Sequence, residues 1–180
     1  MGKYEQNWQY FPLYVKMDGV HIVLFGAGVI AARRAQALAK TNCRLTVIAP
    51  ECGEEMRKLL DVYGDRMTFV EDVYRNGCLM EENMDVVIAA TNDRKLNEEI
   101  HRICRQEGIY VNVASDREQC DFYFPGIYMQ EGLVVGITAS GLDHKKARRI
   151  REEIQNALEK VAREDEEEND DEGDHWKQRE

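Results

Sequence analysis

Long apolar runs are missing from this sequence: nowhere do the roughly 18–20 consecutive apolar residues of a membrane span occur. The stretch Met1–Asn7 is polar and carries no apolar secretory core, so the cytoplasm is the expected location and no membrane partner is expected. No two of the five cysteines (Cys43, Cys52, Cys78, Cys104 and Cys120) form a C-x-x-C pair, and their odd number argues against a complete disulfide framework. They read as small hydrophobes in a reducing compartment, and no metal site is expected from them. Aromatic residues are absent from the one strongly basic segment, Lys145–Arg151, which makes nucleic acid a poor fit as a partner.

The charge that is present is unevenly spread. The total is −10, but Glu164–Glu180 alone holds ten acidic and two basic residues, a net of −8. That leaves −2 for Met1–Arg163, a nearly neutral body that does not repel an anionic ligand through its overall field. The like-charge block is expected to be solvated and disordered. At 180 residues the chain is long enough to bury a core of its own.

Strand and helix patterns alternate along the body. Strands are expected at His21–Phe25, Arg44–Ile48, Met67–Val70, Asp85–Ala90 and Ile109–Val113, with helices at Ala31–Lys40, Glu54–Val62 and Asp93–Glu107. Gly108 reads as the C-cap of the last of these. This cadence predicts a doubly wound parallel α/β sheet of the Rossmann type. Phe122–Tyr128 and Leu133–Thr138, separated by Gln130-Glu131-Gly132, read instead as a hairpin. A basic helix with the apolar stripe Ile150, Ile154, Leu158 and Val161 follows from Asp143, its expected N-cap, to about Arg163. The expected organisation is therefore 1–115 as the sheet domain, 116–163 as hairpin and helix, and 164–180 as an acidic tail.

Chemistry enters at Gly26-Ala27-Gly28-Val29-Ile30-Ala31, a G-x-G-x-x-A between a strand and a helix. Gly26 permits the tight turn, Gly28 lets the backbone approach a pyrophosphate, and Ala31 is small enough for close helix–sheet packing. The amides of Val29 and Ile30 face such a pyrophosphate from a helix N-terminus. The acidic residue usual at the end of the second strand is missing, because the chain reads Ala49-Pro50-Glu51 there. Glu51, or backbone groups around Pro50, are the candidates to line the ribose. No arginine follows to favour a 2′-phosphate, so NAD is expected over NADP. Thr91, in Ala89-Ala90-Thr91-Asn92-Asp93, brings a hydroxyl to the carboxyl edge of the sheet; Asn92-Asp93 equally fits a helix N-cap.

In their order and spacing these segments resemble the precorrin-2 dehydrogenase/sirohydrochlorin ferrochelatase family, the amino-terminal module of sirohaem synthases. The resemblance runs from about Tyr10 to Leu158. It is carried by Phe11-Pro12-Leu13, Phe25–Gly28, Leu45–Pro50, Ala89–Asp93, Val111-Asn112-Val113, Cys120–Pro125 and Ala147–Arg151. It implies an NAD-dependent oxidation of precorrin-2 to sirohydrochlorin in sirohaem (porphyrin-type) biosynthesis, with iron insertion in some members. It also implies a homodimer built through the carboxyl-terminal region, and an aspartate after the Asn-Val strand that serves both steps. A methyltransferase module is not expected within a chain of this length.

The chain departs from the family pattern at that aspartate. Aligned on Asn112 and Pro125 without gaps, Ser115 takes its place and Asp116 follows one residue later. Three readings stay open: Asp116 as displaced acid/base, Ser115 as a binding hydroxyl, or the two as a turn-forming pair. The loop before the last helix reads Ser140-Gly141-Leu142-Asp143-His144 in place of Gly-x-Ser-Pro. His144 stands there either as a proton carrier or as a surface residue. An octa-anionic tetrapyrrole needs cations, and Arg117 and Arg148 are the favoured contacts among Arg33, Arg34, Arg117, Lys145, Lys146, Arg148, Arg149 and Arg151. Two rival functions remain, a chelatase-only member and a non-catalytic NAD(H)-sensing Rossmann module.

Overall fold

The computed structural model of the chain describes residues 10–74, 84–130, 132–140 and 143–177, with side chains as far as Arg163. Met1–Asn7, Cys78, Glu131 and the Gly141-Leu142 pair lie outside the described residues.

Two compact units are present, Tyr14–Phe124 and a second composed of Met1–Leu13 with Pro125–Glu180. The first holds five parallel strands, β1 (His21–Phe25), β2 (Arg44–Ala49), β3 (Met67–Glu71), β4 (Val86–Ala89) and β5 (Tyr110–Val113), in the order β3-β2-β1-β4-β5. Between them run α1 (Val29–Leu38), α2 (Glu54–Tyr63) and α3 (Arg94–Glu107). Every residue of β1 is buried, as a central parallel strand covered on both faces must be. Ile22 and Leu24 pack with Ala31, Ala35, Leu45, Val47 and Met56 on the α1/α2 side. Val23 and Phe25 pack with Ile100, Cys104 and Val111 on the α3 side. The period-two alternation of side chains thus makes a three-layer sandwich, as expected. Because β1 lies between β2 and β4, the strand order reverses at its carboxyl end, where doubly wound sheets open a ligand crevice.

Both ends of α3 are sealed as the sequence predicts. The Asp93 carboxylate accepts from Lys95 N at 2.9 Å and Leu96 N at 3.2 Å, and Gly108 closes the helix with φ of 72°. The sheet unit, however, reaches Phe124 rather than stopping near residue 115. Cys120–Phe122 lies along β5: Asp121 N donates to Val111 O at 2.9 Å, Val111 N to Asp121 Oδ2 at 3.0 Å, and Asn112 Nδ2 to Phe122 O at 2.7 Å. This segment covers an edge that would otherwise expose unpaired backbone, which is why it is not the strand expected from Phe122.

In the second unit, β6 (Gly126–Gln130) pairs antiparallel with β7 (Leu133–Ile137), the expected hairpin, with Gly132 at φ 79° in its turn. Helix α4 (His144–Lys177) packs against both strands. Asp143 caps it, accepting from Lys146 N at 2.8 Å. A Cβ on Gly126 would stand 3.3 Å from Arg151 Cδ, so the glycine lets that arginine's stem lie against the hairpin. The helix continues to Lys177, where the acidic block from Glu164 was expected to be disordered. No proline interrupts it, glutamate is a good helix former, and extending an existing helix avoids the cost of nucleating a new one.

Candidate functional site

The glycine turn joins β1 to α1 at the point where the strand order reverses. Gly26 is buried with φ of 103°, and a Cβ there would lie 2.4 Å from Ala90 O and 2.7 Å from Ala90 C. Its own N–H donates to Ile48 O at 2.9 Å, so the turn is held by β2 and crowded by the end of β4. No side chain fits, and the positive φ independently favours glycine. Gly28 differs. It is the exposed N-cap of α1, with ordinary φ of −78°, and a Cβ there would meet nothing within 4 Å. Open space before a helix N-terminus is where dinucleotide folds receive a pyrophosphate, and the amides that follow here belong to Val29 and Ile30. Those two side chains are more than half exposed despite being apolar, at 55% and 54%. Ala31, fully buried, packs α1 onto the sheet. A dinucleotide therefore fits this turn on the turn's own geometry.

Gly53, which sequence reasoning passed over, supports the same turn. It is the N-cap of α2, and a Cβ there would come within 2.5 Å of Ala27 O. Its only sequence signal is a glycine just before a helical pattern. Pro50 and Glu51 are exposed at the end of β2, and the carboxylate of Glu51 remains the acidic group nearest that strand end in sequence.

Past β4 and β5 the residues form a network. Thr91 is only partly exposed, and its Oγ1 lies 2.7 Å from Asn97 Oδ1 and 3.0 Å from Asp93 O. Its hydroxyl therefore serves the β4–α3 loop rather than standing free. Ser115 is exposed, its Oγ accepting from Asn97 Nδ2 at 3.3 Å. Asp116 engages its own turn: Oδ1 accepts from Glu118 N at 3.0 Å and Oδ2 from Gln119 Nε2 at 3.4 Å, with Arg94 at 3.7 Å. The structure thus brings Thr91 and Ser115 to one linked edge and sets Asp116 in its own turn, its side chain 24% exposed.

The candidate cations separate into three kinds. Arg34 is taken up inside the sheet unit, where it donates to Asn112 Oδ1, stacks 5.2 Å over the Phe124 ring and has its pKa lowered by burial. Arg117 stacks 4.7 Å over the Tyr123 ring, and Tyr123 Oη donates to Arg117 O at 3.0 Å. Arg148, on α4, is exposed and paired with Glu152 at 2.8 Å, a hydrogen bond that raises its pKa. Lys145, Lys146 and Arg149 are exposed on the same helix, as is His144.

The thiols of Cys43, Cys52, Cys104 and Cys120 are free. Cys120 stands in for a strand residue, with Val113 N and O both 3.2 Å from its Sγ, and burial raises its pKa. Among the described residues no group of His, Cys, Asp and Glu could hold a metal ion, and no helix is long and apolar enough to cross a membrane.

Residues 13–126 match the family model NAD_binding_7, described as "Putative NAD(P)-binding". The chain is 34% identical over 152 residues to a siroheme synthase of Photorhabdus laumondii, covering 83% of this chain and 31% of that protein. It is 29% identical over 150 residues to a siroheme synthase of Pseudoalteromonas translucida, again covering 83% of this chain and 31% of that protein. The chain thus spans less than a third of the length of these curated relatives. Among solved structures, "SirC, precorrin-2 dehydrogenase" superposes with a TM-score of 0.66 at 20% identity, over 82% of this chain and 71% of that one. That likeness is one of fold.

Proposed function

The chain belongs to the NAD(P)-binding family matched over residues 13–126, and from that premise we propose that it oxidises precorrin-2 to sirohydrochlorin, using NAD. One observation carries the reading: a turn that only glycine can make at Gly26, with open space at Gly28, set where the sheet's strand order reverses. Similarity to siroheme synthases across 83% of the chain supports the choice of substrate.

Gly26, Gly28 and the amides of Val29 and Ile30 hold the pyrophosphate, and Pro50 and Glu51 line the ribose. When bound, the nicotinamide supplies the hydride acceptor. The chain's own part is then to bind and orient the tetrapyrrole and to take a proton from it. Asp116 is the residue we assign to the proton, as the first carboxylate in sequence after the end of β5. Ser115 supplies a binding hydroxyl. Arg117 and Arg148 are assigned to the substrate's carboxylates, each of which a guanidinium holds in bidentate fashion. A second copy of the chain is the partner we expect, supported by the apolar Leu133 and Val134 on β7 and Val161 on α4, which are 45–51% exposed. The free thiols support a cytoplasmic location.

An anaerobic assay with precorrin-2 and NAD tests this, with ferrous or cobaltous ion added afterwards. Appearance of the sirohydrochlorin spectrum together with NADH is the expected result. Binding of NADH with precorrin-2 left unchanged would replace the enzyme by a sensor. Metal insertion without oxidation would replace it by a chelatase.

A further inference from the structure

Asn97 has no part in the reaction as proposed, and its sequence context gives it no distinction. It lies in the first turn of α3 and is 1% exposed, a polar side chain in a layer of apolar ones. Its amide uses every hydrogen-bonding position it has. Oδ1 accepts from Thr91 N at 3.2 Å and Thr91 Oγ1 at 2.7 Å; Nδ2 donates to Thr91 O at 3.1 Å and Ser115 Oγ at 3.3 Å. The N–H and C=O of Thr91 together fix which end of the amide is which. One side chain thus ties the end of β4 to the end of β5, reaching 18 residues along the chain to Ser115.

The direction of that last bond has a chemical consequence. An amide nitrogen only donates, so Ser115 Oγ is the acceptor and its own proton is directed elsewhere. Ser115 is exposed, and the bond from Asn97 is the one its side chain makes among the described residues. A hydroxyl that accepts one hydrogen bond donates a stronger one. We infer that Asn97 is a positioning residue that makes Ser115 a hydrogen-bond donor to an sp² oxygen of the bound ligands, either the nicotinamide carboxamide or a substrate carboxylate. The inference rests on the dinucleotide-linked reading above. It also gives Ser115, at the position where the family has an aspartate, work that needs no base.

The test compares the full chain with Ser115→Ala, Asn97→Ala, Asn97→Asp and Asn97→Ala/Ser115→Ala. Each is measured for NADH affinity by fluorescence, for kcat and KM with precorrin-2, and for its urea midpoint. Ser115→Ala should weaken one ligand about two- to tenfold, the scale of one neutral hydrogen bond, with the urea midpoint unchanged. A cofactor oxygen shows in the NADH affinity, a substrate oxygen in KM. Asn97→Ala should lower the midpoint and weaken the same ligand, but add no further weakening in the Ser115→Ala background. Asn97→Asp offers the Ser115 proton an internal acceptor and should reproduce the Ser115→Ala loss; it carries the test if Asn97→Ala does not fold. Silence of Ser115→Ala on both ligands, or equal losses from Asn97→Ala in both backgrounds, would overturn the inference. A wild-type chain that binds NADH but leaves precorrin-2 unchanged removes the proposed reaction instead. The inference is then read on the affinities for NADH and sirohydrochlorin.

Discussion

Gly26 and Gly28 stand two residues apart, yet the structure assigns them opposite consequences on substitution. At Gly26 a methyl group would meet Ala90 O at 2.4 Å and Ala90 C at 2.7 Å, both backbone atoms that cannot swing aside, at a φ of 103°. The backbone conformation alone costs a side-chain-bearing residue roughly 1–3 kcal/mol, and the contact forces β1 or β4 to shift as well. Gly26→Ala should therefore destabilise the fold by about 3 kcal/mol or more, among the larger effects of single substitutions. At Gly28 the same methyl meets nothing within 4 Å, at an ordinary φ. Replacing an N-cap glycine by valine costs about 1 kcal/mol or less. What a valine there does take is the space before α1 and the approach to two amides. Charge-assisted hydrogen bonds are each worth about 1.5–3 kcal/mol, so losing both should weaken NAD at least a hundredfold, in round terms. Urea unfolding and calorimetry on the two variants separate the effects. If Gly28→Val bound NAD as tightly as the unmodified chain, the phosphate-turn assignment would be wrong. A Gly26→Ala variant of unchanged stability would contradict the packing argument.

If Asp116 takes the substrate proton, Asp116→Asn should cut turnover about a hundredfold or more, the scale of a general base, with NAD affinity unchanged. Ser115→Ala should cost far less, and steady-state kinetics showing the reverse ranking would move the proton route away from Asp116. Burial pushes the Cys104 thiol from its ordinary 9.0 up to about 12. A raised acid pKa stabilises the fold fully below pH 9, and the gain is lost as pH climbs from 9 toward 12, because the unfolded chain ionises first. Urea midpoints should fall over that window with a slope approaching ~1.4 kcal/mol per pH unit from this group, and Cys104→Ala should remove that slope. Cutting after Arg163 removes a net charge of −8 and should leave the sheet unit folded and dehydrogenation intact. Substrate affinity should rise modestly at low salt but not at high salt, where the repulsion is already screened. Loss of folding or of turnover in the shortened chain, followed by circular dichroism and the NADH signal, would show that the last turns of α4 are needed.

Most of the sheet was legible from the sequence because its signals are local. Five apolar segments, the alanine-rich start of α1, the Asp93 and Gly108 caps and the glycine turn each depend on residues within a few positions of one another. Period-two and period-3.6 burial then leave little choice of layer. The hairpin was legible for the same reason. The acidic end of α4 was misjudged because composition weighs charge repulsion and overlooks a helix already begun upstream. Contacts between distant segments were beyond any local pattern. These include Gly53 against Ala27, Arg34 on Asn112 and Phe124, Cys120–Phe122 along β5, and Asn97 joining Thr91 to Ser115. The sequence by itself determined that a glycine turn joins the first strand to the first helix and which glycines make it. Only the tertiary structure decided that Asp116 folds back into its own turn while Ser115 joins Thr91 through Asn97. Which of two neighbouring side chains faces a given edge depends on how the backbone turns after β5, and the packing of α3 and of Cys120–Phe122 against that strand sets the turn.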